Sequence, residues 1–321
     1  MRDAELVWEV KTAEGTIRPY IRETPLEHSP FLSELGGADV YLKLENHQLS
    51  GSFKLRGAMN AILSLNEEQR ARPVVTASSG NHAAAVAYTL HGFGGRGIIY
   101  LPESVAEAKV AALAPYGAEL RFVGQDSVVG ELEAKKAASR EGWTYISPYN
   151  DPKIIGGQGT VALEIERQSD PIDAIFVPVG GGGLVAGIGG YLKARDSSIR
   201  VVGCQPENSR VMAESVKAGK LLKLDSEPTL SDGTAGGIEP GAITFPICQR
   251  VVDEFALVSE SAIAEAMRFM IEKHYMLIEG AAALSIAAYL AEPTRYREQT
   301  VVLVVSGKKV SRDTIEKVLS T

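Results

Sequence analysis

The chain has 321 residues, 45% hydrophobic and 23% charged, a composition that suits one large or two modest globular domains and excludes disorder and coiled coil. With 33 basic against 40 acidic residues the net charge is −7, which disfavours a nucleic-acid-binding or anionic-membrane surface. Two cysteines, Cys204 and Cys248, make no disulfide framework and point to a reducing cytoplasm.

Taken in chain order, residues 1–10 carry Arg2, Asp3, Glu5 and Glu9, unlike the apolar region of a signal peptide. Short β-branched runs at 40–42, 73–77, 98–101, 120–123, 174–179, 201–204 and 301–305 read as strands. Between most of them lie stretches long enough for helices, such as 81–90, 106–116 and 131–140. Strands alternating with helices predict an α/β protein whose parallel sheets are covered on both faces. No repeat or low-complexity linker is present. Chain crossings between domains are therefore compact, and Gln48-Leu49-Ser50-Gly51 and Ser147-Pro148-Tyr149-Asn150-Asp151-Pro152 are the best candidates. The apolar run 280–290 is about half a membrane span, so no membrane partner is expected.

Three segments combine small residues with a preceding strand and a following helix. In Ser52-Phe53-Lys54-Leu55-Arg56-Gly57-Ala58 a lysine stands where backbone can approach closely. On its own it reads as a solvated helix-start lysine; a catalytic role needs desolvation that keeps the amine neutral. Ser78-Ser79-Gly80-Asn81-His82 follows the run 73–77, and its hydroxyl, amide and backbone donors at a helix start suit a carboxylate or phosphate. Capping alone needs only one serine. Gly180-Gly181-Gly182-Gly183-Leu184 offers four glycines between strand and helix, more than a turn requires, and a phosphate is the natural occupant. Residues 181–186 also match G-x-G-x-x-A, but that fingerprint wants an acid at the end of the next strand, where Gln205 stands. A nicotinamide-dependent oxidoreductase is accordingly the second reading.

Together and in this order the three segments resemble the pyridoxal-phosphate enzymes of the tryptophan-synthase-β type, within them the serine/threonine dehydratase and serine racemase group. Supporting stretches are Thr24-Pro25-Leu26, Leu42-Lys43-Leu44-Glu45, Gly157-Gln158-Gly159-Thr160-Val161-Ala162-Leu163-Glu164 and Val305-Ser306-Gly307, so that the likeness runs from about Thr24 to the C-terminus. The resemblance implies two domains with open, twisted parallel sheets, a large one from residues 1–48 plus 149–321 and a small one from 49–148, and a cytoplasmic homodimer. It implies that Lys54 binds pyridoxal phosphate covalently and that Phe53 packs on its ring. Asn81 would bond the ring hydroxyl, Gly180, Gly181, Gly182, Gly183 and Leu184 would hold the phosphate, and Ser306 would face the ring nitrogen. Ser78, Ser79, Gly80, Asn81 and His82 would grip the substrate carboxylate, with Ser79 across the cofactor from Lys54.

The activity so implied is elimination from a β-hydroxy amino acid, L-threonine or L-serine or a bulkier relative, giving a 2-keto acid and ammonia. Racemisation is the alternative on the same scaffold, and a binding module without turnover is disfavoured by the intact Lys54 and Ser79. The chain's length leaves no room for the appended regulatory domain of biosynthetic threonine deaminases. The family's cation site would fall at Gln205, Val211 and the Ser209 carbonyl, which supply no anionic oxygen, so no metal is expected even with Glu207 nearby. Lys308 and Lys309 replace the Gly-Asn usual after Ser306-Gly307. Glu279 matches a family glutamate near the ring and reads equally as a solvated helix-end residue. Residues 231–241, rich in small side chains, resemble a subgroup that includes hydroxyectoine-utilisation enzymes.

Overall fold

A computed structural model describes the whole chain other than Gln125, Asp126, Asp170 and Thr321, with Ser127 and Val128 described by their backbone alone. Among the described residues ten strands form two sheets. β1 (Leu26–His28), β2 (Asp39–Lys43), β7 (Ala174–Pro178), β8 (Arg200–Pro206), β9 (Glu254–Val258) and β10 (Thr300–Val304) make a six-stranded sheet in the order β1-β2-β10-β7-β8-β9. All its pairings are parallel except β1 with β2. β3 (Val74–Ala77), β4 (Gly97–Leu101), β5 (Glu119–Phe122) and β6 (Thr144–Tyr145) make a four-stranded parallel sheet in the order β5-β4-β3-β6.

Both sheets are covered on two faces, which is why their central strands are apolar without alternation. Leu42, Phe176 and Leu303 lie side by side in register and pack against Met267 and Leu284 of one helical layer. Ile175, Val177, Val302 and Val304 pack on the opposite face against Val161, Val185 and Ile188. In the smaller sheet Ile99 and Leu101 meet the Ala-rich helix Asn81–Phe93, while Val75, Ile98 and Tyr100 meet Ala134 and Ala137 of the helix Ser127–Glu141.

Each of the seven sequence-read strands is present within a residue or so. The stretch 106–116 is not one helix: a short helix Glu107–Ala111 is followed by the 3-10 turn Ala114–Tyr116. Pro115 has no N–H to continue the ladder, and Gly117 at φ 68° ends the turn. Strands β1, β6 and β9 escape the sequence reading, the first two because three and two residues are too short for a pattern. The chain leaves the six-stranded sheet after β2, runs through β3 to β6 of the four-stranded sheet, and returns to the first sheet at β7.

Candidate active site

Lys54 opens the helix Lys54–Leu63. The loop before it is stitched to the segment after β10: Ser52 bridges Gly307, Phe53 N–H donates to the Ser306 carbonyl at 3.1 Å, and Lys308 N–H donates to the Gly51 carbonyl at 3.1 Å. The side chain is half-buried and Nζ donates to the Pro148 carbonyl at 2.8 Å, 5.2 Å from the centre of the Phe53 ring. Burial holds its pKa down to about 8, against the upward pull of the Glu279 carboxylate. The solvated-lysine reading is therefore corrected: this is a desolvated amine that loses its proton far more readily than a surface lysine, with about a tenth of it neutral at pH 7.

The second segment lies between β3 and the helix Asn81–Phe93. Ser78 Oγ accepts the Gly80 N–H at 3.2 Å, Ser79 is half-buried beside it, and a Cβ at Gly80 would meet nothing within 4 Å. Asn81 Nδ2 donates to both carboxylate oxygens of Glu279, at 3.0 and 2.8 Å, leaving a buried Oδ1 without a partner among the described residues. His82 is turned inward, Nε2 on the Ile146 carbonyl at 3.2 Å; burial and then the Lys54 charge lower its pKa to about 3, so the ring stays neutral.

Glu279 is 4% exposed, and its solvated reading is corrected too. It stands at the N-terminus of the helix Gly280–Ala291 and accepts the Lys309 N–H at 3.2 Å. Burial raises its pKa to about 7; the Asn81 bonds and Lys309 oppose this, and Asp232 adds to it. Lys309 in turn has its pKa lowered by burial and raised by Glu279. A carboxylate before an apolar helix and the match to a family glutamate are the sequence signals for this group.

The glycine run joins β7 to the helix Gly183–Arg195. Gly182 has φ +86°, where a side chain is strained, and a Cβ at Gly181 would lie 2.4 Å from the Tyr149 ring. Thr244 Oγ donates to the Gly181 carbonyl at 2.7 Å, fixing the loop from below. The helix start leaves unpaired backbone N–H groups at the loop. Lys54 and this loop lie on either side of one short segment, Pro148 binding the amine and Tyr149 covering Gly181. Ser306 is buried behind Phe53, and Leu184 is buried in the core.

Gln205 is 1% exposed and both ends of its amide are engaged: Nε2 donates to the Val179 carbonyl at 3.0 Å and Oε1 accepts the Ala213 N–H at 2.8 Å. It thus ties the strand end before the glycines to the helix Val211–Ala218. Among the described residues no group of three or more His, Cys, Asp or Glu could hold a metal ion.

Bare N–H groups at a helix start, a primary amine with a lowered pKa and an unpartnered buried amide oxygen together fit an aldehyde-bearing phosphate ester. The family model for "Pyridoxal-phosphate dependent enzyme" matches residues 17–307. The chain belongs to this family. It is 39% identical over 315 residues to "L-threonine dehydratase catabolic TdcB" of Staphylococcus aureus, an alignment covering 97% of this chain and 91% of that protein. Among solved structures, the processed threonine deaminase isoform 2 of Solanum lycopersicum superposes with a TM-score of 0.94 at 30% identity, covering 100% of this chain and 94% of the other. Maize serine racemase superposes with a TM-score of 0.91 at 33% identity, covering 98% and 96%. The chain is a threonine ammonia-lyase-like member of the family, with two parallel-dominated sheets as in the threonine deaminases.

Proposed function

We propose that the chain eliminates water from a β-hydroxy amino acid, L-threonine, L-serine or a bulkier relative, to release a 2-keto acid and ammonia. The observation that carries this is the desolvated Lys54 amine, set between the glycine loop and Asn81–Glu279. The dehydratase and deaminase relatives supply the reaction type.

Bound pyridoxal phosphate supplies an electron sink for the bond broken at Cα. Lys54 would hold it covalently, Phe53 would pack on its ring, and Gly180, Gly181, Gly182, Gly183 and Leu184 would take its phosphate. Asn81 would present Oδ1 to the ring hydroxyl, the amide being oriented by Glu279. Ser306 would set a hydroxyl at the ring nitrogen, which donates less readily than a carboxylic acid. Of the segment 78–82, the N–H groups of Ser79, Asn81 and His82 at a helix N-terminus suit the substrate carboxylate, while the Ser78 N–H rests on the Tyr100 carbonyl and the Gly80 N–H on Ser78 Oγ; the His82 ring itself faces away. Lys54 Nζ, once free and neutral, takes the α-proton. The small side chains of residues 231–241 suit a substrate side chain larger than that of serine.

We divide the chain into residues 1–48 plus 149–321 and residues 49–148, and place it as a cytoplasmic homodimer on the family resemblance. Racemisation is the second reading, favoured by the likeness to the maize racemase and requiring Ser79 on the face opposite Lys54. The test is a panel of L- and D-β-hydroxy amino acids with keto acid and ammonia measured together. Equal release of both from L-substrates, lost in Lys54→Ala with the fold retained, is the expected result. Inversion of configuration without keto acid, abolished in Ser79→Ala, would put racemisation first.

A further inference from the structure

Residues 231–243 carry two acids, and each is held by a lysine from the helices around the four-stranded sheet. Asp232 accepts from Lys109 Nζ at 3.1 Å, both side chains being exposed, so this pair contributes little. Glu239 is different. Its Oε2 accepts from Lys135 Nζ, with side chains only 20% and 34% exposed, and its Oε1 accepts from Asn150 Nδ2 at 2.6 Å. Its backbone N–H donates to the Tyr149 hydroxyl at 2.9 Å. Asn150 Oδ1 accepts the Ile243 N–H at 2.8 Å, closing the set.

Three consecutive residues thus have three different duties. The Pro148 carbonyl takes the Lys54 amine, the Tyr149 ring covers Gly181, and Asn150 meets Glu239. Lys135 belongs to the helix Ser127–Glu141, where it also pairs with Glu131 at 2.7 Å and lies 5.3 Å from the centre of the Tyr145 ring. The Lys135–Glu239 pair exists only while that helix rests against the segment 231–243. A carboxylate is the one side-chain group that can accept from an ammonium and an amide at once through two oxygens.

We propose that Glu239 is a positioning residue: by joining Lys135 to Asn150 it couples the docking of the four-stranded unit to the placement of Pro148 and Tyr149, and through them to the Lys54 amine and the glycine loop. The kinetic and cofactor consequences rest on the function proposed above, whereas the docking itself does not.

The test is a double-mutant cycle of Glu239→Gln and Lys135→Met with Lys135→Arg as the conservative variant. Three measurements are made: pyridoxal-phosphate affinity of the apoprotein by visible absorbance, KM and kcat for the best L-substrate, and amide hydrogen exchange over residues 147–150. Each single variant should weaken cofactor affinity roughly three- to tenfold, as expected for one half-buried ion pair, and should raise KM more than it lowers kcat. The double variant should lose no more than either single one, and Lys135→Arg should keep parental values. Exchange at 147–150 should speed up in both single variants. Additive losses, or unchanged affinity and protection, would overturn the proposal. If the parent turns over none of the panel, the function reading fails, and exchange with cofactor titration still decides the role of Glu239.

Discussion

Glu279 and Lys54 show how burial sets a charge that the local sequence leaves open. Lys54 alone reads as a surface lysine, because the groups that desolvate and oppose it, Pro148 and Glu279, are distant in the chain. Glu279 is likewise made by its surroundings, with Asn81 on one side and the Lys309 N–H on the other. Its raised pKa, about 7, means that the folded protein binds more protons than the unfolded chain between about 4.5 and 7. Stability therefore falls as pH rises through that window, and the burden is complete above it. Replacing the carboxylate by an amide removes it. Glu279→Gln apoprotein should gain stability over the parent as pH goes from 5 to 8, by up to about 3 kcal/mol, read as a growing difference in thermal midpoint. Turnover should fall, since the amide no longer accepts both Asn81 hydrogens. A midpoint difference that does not grow with pH would refute this account of Glu279.

At the scale of elements, the helix Pro152–Gln168 seats both chemical loops. A Cβ at Gly157 would lie 2.6 Å from Gly57 Cα, on the helix that begins with Lys54. A Cβ at Gly187, on the helix that follows the glycine loop, would lie 2.6 Å from the Gly159 nitrogen. Backbone thus packs on backbone at two crossings, which explains the glycines of Gly157-Gln158-Gly159 as packing. Gly157→Ala should destabilise by about 1–3 kcal/mol through overpacking and should push the Lys54 helix off its seat. Urea unfolding and cofactor absorbance measure the two effects, and a variant neutral in both would show that the contact is slack. What was legible in the sequence follows the same logic. Buried strands such as β7 and β10 announce themselves by apolar runs, and loops by clustered glycines. The edge strand β9, with Leu257 39% exposed, and the split helix at Pro115 depend on context that no short window holds.

Across the whole molecule, one buried ionic cluster ties the helix of Lys54 to the six-stranded sheet and to its covering helix. Arg56 donates to Glu45 at 2.7 Å and to Glu164 at 2.7 Å, and Lys43 Nζ donates to Glu164 at 2.6 Å, with all four side chains fully buried. Arg18 and Thr24 complete the set on Glu164. Lys43 lies on β2, Glu45 just beyond it, and Glu164 on the helix Pro152–Gln168, so one guanidinium fixes the rotation of the helix whose first residue is Lys54. Its planar fork is suited to two carboxylates at once. Burial by itself would raise the pKa of Glu164, but Arg56 and Lys43 outweigh it and hold the carboxyl well below the usual range. The stability this represents is therefore present above the ordinary carboxylate pKa and is lost as pH falls through the depressed one. Removing the guanidinium leaves two carboxylates in the core with Lys43 and the partly exposed Arg18 to balance them, both on Glu164 and neither bonded to Glu45, and Arg56→Met should lose about 3–5 kcal/mol at pH 7. On acidification the exposed imbalance can be relieved by proton uptake, so the gap between variant and parent should narrow towards pH 4. Urea denaturation at both pH values measures it. A loss of the same size at pH 4 as at pH 7 would mean that Arg56 acts by filling space, and the charge argument would be wrong.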